Sequence, residues 1–270
     1  MDMEFEKHCW AEIDLDALRH NFAYIRQAVG GPVCAVVKAD AYGHGDVATA
    51  KAIQQAGVAG FAVSSLGEGH HLRHYGITIP ILILGYADPA HAATLAEDDI
   101  ATACFSTEYA QALSAAAVQA GVQVKVHIKI DTGMGRIGYL ADDLDFAVED
   151  VKKIAALENF KIKGMFSHMS TADAFDKTYS HQQEAKYNKF YETLTAAGIE
   201  IPFRTLANSA SVMELPSVYF DACRPGIILY GCYPSDEVDV KELSIKPVMS
   251  VKANIVHLKE VPVGFSVGYG

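Results

Sequence analysis

Positive charge is scarce in this chain. Its 22 lysines and arginines are outnumbered by 33 aspartates and glutamates, a net charge of −11 over 270 residues. Nucleic-acid binders carry a basic footprint to neutralise phosphates, which argues against a nucleic-acid partner. A local basic site for one small anion stays open. Long hydrophobic runs are missing as well: none approaches the ~20 apolar residues that cross a bilayer, so no membrane association is expected. The opening Met1–Lys7 is acidic with no apolar stretch behind it, unlike a secretory leader. Cysteine is sparse and unpatterned. Cys9, Cys34, Cys104, Cys223 and Cys232 make an odd number with no CxxC spacing, and three lie in apolar runs. They read as reduced, core-filling thiols of a soluble cytoplasmic protein.

What is abundant is apolar sequence, half of all residues. That is enough for a sizeable core without disulfide or metal staples. It falls into short runs at Val33–Val37, Gly60–Val63, Ile79–Leu84, Ile100–Phe105, Val122–Ile130, Ile162–Phe166, Phe203–Leu206 and Tyr219–Cys223. Segments with helical spacing lie between them, such as Val47–Ala56, Tyr109–Ala120, Leu144–Leu157 and Gln182–Ala197, many stopped by glycine at Gly57, Gly76, Gly121 and Gly198. Strands alternating with helices make parallel βαβ units, and continuous apolar strands are covered on both faces. Eight such runs predict a closed (β/α)8 barrel over residues 14–240.

Residues 8–13 read as a strand ahead of a helix, Asp14–Val29, whose Leu15, Leu18, Phe22, Ile25 and Val29 form one stripe. Near the other end, Met249, Val251, Ala253 and Ile255 alternate with Ser250, Lys252 and Asn254, the pattern of a half-exposed antiparallel strand. Segments 1–13 and 241–270 are therefore expected to be strands of a second, β-rich domain. One or two strands make no stable sheet alone, so that domain is expected to be truncated.

Barrel chemistry sits where strands end at the C-terminal face. The first run ends in Lys38, where burial would lower the amine's pKa and leave a nucleophile suited to an aldehyde cofactor. A lysine snorkelling out of a strand end is the plainer alternative. The fifth run leads into Gly133-x-Gly135-x-x-Gly138, formally a dinucleotide fingerprint. It follows the wrong strand and leads into no helix, so Lys129, Asp131 and Arg136 read instead as rim charges or as a charged turn-rich loop. The sixth run ends at His168, a candidate catalyst or a hydrogen-bonded core residue. After the seventh, Asn208 and Ser209 open a helix and suit a phosphate or an ordinary N-cap. After the eighth stand Arg224, Pro225 and Gly226, an arginine beside a tight turn. His70 and His74 in EGHHLRH lack the further ligands a metal site needs, so a solvated helix face is expected and no metal.

These segments in order, AVVKADAYGHG, VHIKIDTGMGRIG, SHMSTAD, ANSAS and RPGIILYG, resemble the motif series of alanine racemases, and the opening WAEIDLDALRHN fits too. The resemblance runs from about Cys9 to Gly270. It implies a pyridoxal 5′-phosphate (PLP) enzyme of fold type III, interconverting L- and D-alanine to supply D-alanine for peptidoglycan. It implies a barrel plus a C-terminal β-domain, in a homodimer whose chains share each active site. Lys38 would carry the cofactor as a Schiff base and be one of two proton-transfer bases; Tyr269, in PVGFSVGYG, would be the other, acting in the partner chain's site. Tyr42, Ser209, and the backbone at Gly226 and Ile227 would hold the phosphate, with Asn208 beside them. Arg224 would face the pyridine nitrogen, Arg136 the ring oxygen, and His168 would link Arg224 to the catalytic tyrosine. Lys129 matches a position that is carbamylated in some members. The family's later β-domain residues fall beyond Gly270, so this length of chain is expected to be weakly active or inactive alone. A serine or serine/alanine racemase and a non-catalytic PLP-binding barrel are the alternatives. Decarboxylases of the related fold are opposed by Arg224, since they place an acid at the ring nitrogen.

Overall fold

The stripe that begins after Asp14 forms α1 (Leu15–Val29), started by the Asp14 carboxylate, which accepts from the amides of Asp16 and Ala17 at 2.9 Å. Gly30, left-handed at φ +64°, ends it. Leu18, Phe22 and Ile25 of the stripe are fully buried, while Leu15 and Val29 sit at the edge of the core. The structure is a computed structural model, and it describes residues 7–269.

Past α1 the chain alternates as the apolar runs predict. In order come β2 (Cys34–Val36), α2 (Asp46–Gln55), β3 (Gly60–Val63), α3 (Leu66–His74), β4 (Ile81–Ile83), α4 (Ala92–Glu97), β5 (Ile100–Cys104) and α5 (Thr107–Ala120). Then follow β6 (Val124–Asp131), a short β7 (Tyr139–Leu140), α6 (Leu144–Ala155), β8 (Phe160–Phe166), α7 (Thr178–Ala196), β9 (Arg204–Thr205) and α8 (Ser209–Glu214). The sheet order is β2-β3-β4-β5-β6-β8-β9, all pairs parallel, with β7 an appendage on β6.

The eighth run does not form a regular strand. Phe220 turns left-handed (φ +46°) and Pro225 has no amide to donate, so a ladder cannot propagate through Tyr219–Cys223. The segment still closes the ring. Asp221 and Arg224 donate to Arg204 and Ala207 carbonyls at 3.1 and 2.9 Å, while Cys34 and Val36 donate to Cys223 and Pro225 at 2.8 and 3.0 Å. A bridge pairs Val33 with Cys223 in parallel. The fold is a (β/α)8 barrel with its last strand reduced to these bonds.

Outside the barrel, β1 (Cys9–Ile13) pairs antiparallel with β10 (Met249–Ala253), Cys9 opposite Ala253 and Ile13 opposite Met249. The alternation around β10 predicts one covered face. Among the described residues neither face is covered: Val251 and Ile255 are 71% and 79% exposed. No helix among the described residues is long and apolar enough to cross a membrane.

Candidate active site

Lys38 ends β2 and begins a turn of unusual hand. Ala39, Asp40, Ala41 and Tyr42 all have φ between 52° and 54°, one turn of left-handed helix built without glycine. Such a backbone costs an L-residue roughly 1–2 kcal/mol each, so something must hold it. Glu68, in the first turn of α3, accepts from Ala39 N at 2.9 Å and from Ser64 N at 2.7 Å. Asp40 then reaches forward, its carboxylate taking Asp46 N at 2.8 Å and its carbonyl taking Gly45 N. The result aims Tyr42 back toward the strand end, where it packs against Tyr230 with ring centroids 5.0 Å apart.

Eight residues singled out in the sequence line one cavity of about 310 Å³ at the C-terminal ends of the strands: Lys38, Tyr42, His168, Asn208, Ser209, Arg224, Gly226 and Ile227. Ser209 Oγ accepts from Gly226 N at 2.9 Å. A Cβ built on Gly226 would stand 2.5 Å from the Tyr42 hydroxyl, so only glycine leaves that cradle open. Asn208 is an N-cap, its amide oxygen accepting from Ser211 N at 3.0 Å at the start of α8, and it is also among the residues that line the cavity.

Arg224 is buried with no carboxylate partner. Its guanidinium donates to Thr205 Oγ1 at 2.6 Å and to the carbonyls of Ser167 and Leu206. It therefore meets the His168 region through the preceding carbonyl. Phe166 lies between two cations, Arg224 Cζ at 5.4 Å and Lys129 Nζ at 5.5 Å from its ring centre.

Burial, then the Arg136 cation, lowers the Lys38 amine below the usual lysine range, with Glu68 opposing. His168 is pushed down to about 3 by burial and by four surrounding cations, Arg224, Arg136, Lys129 and Lys38. In a chain of net charge −11 these cations are concentrated at one rim.

Three nominated residues stand apart from the cavity wall. Lys129 is buried behind it, its Nζ on the Ile130 carbonyl at 2.8 Å, and burial lowers it to about 7. Arg136 is exposed on the loop after β6. Asp131 fixes that loop. Its Oδ1 accepts from Gly133, Met134 and Gly135 N at 2.8–3.1 Å and its Oδ2 from Arg136 N at 3.0 Å. The GxGxxG glycines thus serve an aspartate-centred turn that runs into β7 and not into a helix. Asp131→Ala should cost about 2–4 kcal/mol in urea unfolding, because four amides lose a charged acceptor. A midpoint unchanged from wild type would contradict this. Tyr269 is fully exposed and lines no part of the cavity. His70 pairs with Asp98 at 2.7 Å on the outer face of α3, and no group of three or more metal-ligating side chains occurs among the described residues.

The cavity also includes Val36, Leu84, Asp173, Ala210 and Pro234, which the sequence reading did not nominate. Asp173 closes the SHMSTAD segment and was within reach; Pro234 carries no local signal. Glu68, which holds the turn after Lys38, has no local signal beside the histidines of EGHHLRH.

Residues 13–234 match the family model for the alanine racemase N-terminal domain. The chain belongs to the alanine racemase family. Among relatives, it is 46% identical over 262 residues to the alanine racemase of Clostridium novyi, covering 97% of this chain and 67% of that protein. The alanine racemase of Clostridium kluyveri is 45% identical over 269 residues, 98% of this chain and 68% of that protein. The chain thus spans about two thirds of these curated relatives. Among solved structures, the Clostridium difficile alanine racemase complex with cycloserine superposes with a TM-score of 0.91 at 38% identity, over 95% of this chain and 71% of that one. The Bacillus anthracis alanine racemase with bound L-Ala-P gives 0.85 at 32% identity, over 98% and 69%. Alanine racemase family members are isomerases and in general depend on PLP.

Proposed function

We propose that this chain provides the PLP-binding barrel of an alanine racemase, residues 14–240, with segments 1–13 and 241–270 contributing strands of an accompanying β-domain. The observation that carries the reading is the one cavity that Lys38, the hydrogen-bonded Ser209–Gly226 pair and the buried Arg224 line together. Those residues fit the cofactor. An unpaired, partly desolvated lysine suits its aldehyde, a glycine-walled pocket rimmed by hydroxyls and amides suits its phosphate, and a permanent cation suits its ring nitrogen.

PLP, when bound, supplies the electron withdrawal that makes an amino acid's Cα–H acidic. The protein's part is to move that proton. Lys38, with its lowered pKa, takes or gives it on one face of Cα. Tyr269 is assigned to the opposite face in a homodimer, each chain serving its partner's site; its ring is exposed and available to a second copy. Tyr42, Ser209 and the amides of Gly226 and Ile227 hold the phosphate, with Asn208 fixing Ser209 at the start of α8. Arg224, always charged, would face the ring nitrogen and disfavour a proton there, which suits return of the Cα proton over side reactions. Arg136 would bond the ring oxygen, and neutral His168 would pass the influence of Arg224 toward the tyrosine. Lys129, neutral in good part at pH near 7, can add to CO2 with loss of a proton, and the resulting carbamate would pair with Arg136.

With added PLP the purified chain should show a visible absorbance band that borohydride abolishes. Lys38→Ala should lack the band; an unchanged band in that variant overturns the attachment site. Turnover of L-alanine against L-serine by the dimeric protein tests the substrate.

A further inference from the structure

The barrel has a second cavity, at the opposite end from Lys38. It is about 330 Å³ and opens at the N-terminal ends of the strands, where Cys34, Gly60, Ile81 and Ala101 stand at or next to the first residues of β2–β5. The other mouth holds the site described above, so nothing in the proposed racemase chemistry uses this one.

Its wall is mostly apolar, with Phe61, Ile81, Leu82 and Phe203 among the lining side chains. Its charged groups are of one sign. Lys163 and Arg224 line it, and no aspartate or glutamate does, in a chain where acids outnumber bases 33 to 22. His127 lines it as well, buried edge-on against Phe166 and Phe203, with an Nδ1 that has no hydrogen-bond partner.

Lys163 is there because of a bulge. Along the β6–β8 ladder Val126 faces Ile162 and His127 faces Gly164, so Lys163 is an extra residue on β8. Bulges at barrel rims re-aim a side chain, and this one turns a lysine into the mouth. Gly164 makes the bulge possible: a Cβ there would meet the Phe203 carbonyl at 2.2 Å and His127 Nδ1 at 3.0 Å. No carboxylate lines this recess, so an anion seated there would meet its cations without a competing acid.

We propose that the N-terminal mouth is a second ligand site, selective for small carboxylates with an apolar body. The carboxylate lies at Lys163 in the field of Arg224, with His127 as a hydrogen-bond donor, and the hydrocarbon packs on Phe61, Leu82 and Phe203. Because Arg224 lines both cavities, an occupant here touches the wall of the other site.

The test is a fluorine-NMR titration of the full chain with para-fluorobenzoate. A saturable shift is expected, weakened about tenfold or more by Lys163→Ala, which removes a charge-assisted bond, and restored by Lys163→Arg. Ala101→Leu, which fills the cavity and keeps its charge, should block binding, and neutral para-fluorobenzamide should bind at least about tenfold more weakly. Lys38→Ala should titrate like wild type, which separates this site from the cofactor cavity and makes the result independent of the racemase reading. No saturable binding, binding indifferent to Lys163→Ala, or binding lost in Lys38→Ala would each overturn the proposal.

Discussion

Gly231→Ala should leave little folded protein. Gly231 follows the Ile227–Tyr230 turn at φ +82°, a conformation already unfavourable for alanine. Its added Cβ would lie 2.0 Å from the Lys246 carbonyl oxygen, 2.4 Å from the carbonyl carbon and 2.6 Å from Pro247 Cα. All three are backbone atoms, so no rotamer change relieves the clash. The returning chain is also pinned in place. Val248 N donates to Tyr230 O at 3.1 Å, and buried Asn21 bonds Leu229 O, Lys246 O and Lys246 N at 2.8–3.0 Å. Separating the two segments would strand those groups at about 1–3 kcal/mol each. The sum exceeds about 4 kcal/mol, beyond most point mutations. Gly198→Ala is the control: φ is +80° but no atom lies within 4 Å, so only about 1 kcal/mol is expected. Urea unfolding of the two variants decides it, and equal midpoints would refute the argument. Any surviving Gly231→Ala protein should bind PLP poorly. The same turn starts at Gly226 in the cradle proposed for the phosphate, and its Tyr230 packs on Tyr42 and donates to Val36 O at 2.9 Å.

The barrel was legible because parallel strands covered on both faces must be continuously apolar, and β2 to β6 and β8 fall inside or within two residues of the runs. Lys38, His168, Asn208, Ser209, Arg224 and Gly226 were legible for a related reason: parallel strands end at one rim, so residues that follow different runs can meet there, whereas Tyr42 and Ile227 came only with the family resemblance. What local pattern could not carry was long-range. Nothing in Ala39-Asp40-Ala41-Tyr42 announces a left-handed turn, since Glu68, nearly thirty residues on, helps to hold it. The alternation of β10 gave its pairing geometry but not its cover, because cover depends on what packs against it. The bulge at Lys163 is marked in sequence only by Gly164, which alone reads as any strand glycine. Likewise burial divides the two cations that the sequence places together after the fifth run: Lys129 lies inside the wall and Arg136 outside it.

Acidification should destabilise the protein before most of its carboxylates titrate, and His127 should account for much of the effect. Burial first, then the Arg224 and Lys163 cations, push His127 down to about 3, and His168 is held equally low at the other mouth. The unfolded chain takes up these protons as pH falls through about 6.5, whereas the fold refuses them until about 3. Between those values the unfolded state binds more protons, so stability falls as pH falls, by up to about 1.4 kcal/mol per pH unit for each histidine. Two pH units with two histidines approach about 5 kcal/mol, comparable with the whole stability of many domains. Lys129, lowered to about 7, acts in a separate window: its term favours the fold as pH rises from about 7 toward 10.5. His127 is the cleaner probe, being the more buried of the two histidines and remote from the cofactor cavity. In urea titrations at about pH 6.5, 5.5 and 4.5, His127→Gln should therefore lose stability with roughly half the wild-type slope. An identical slope would mean that the buried imidazole takes up its proton without unfolding.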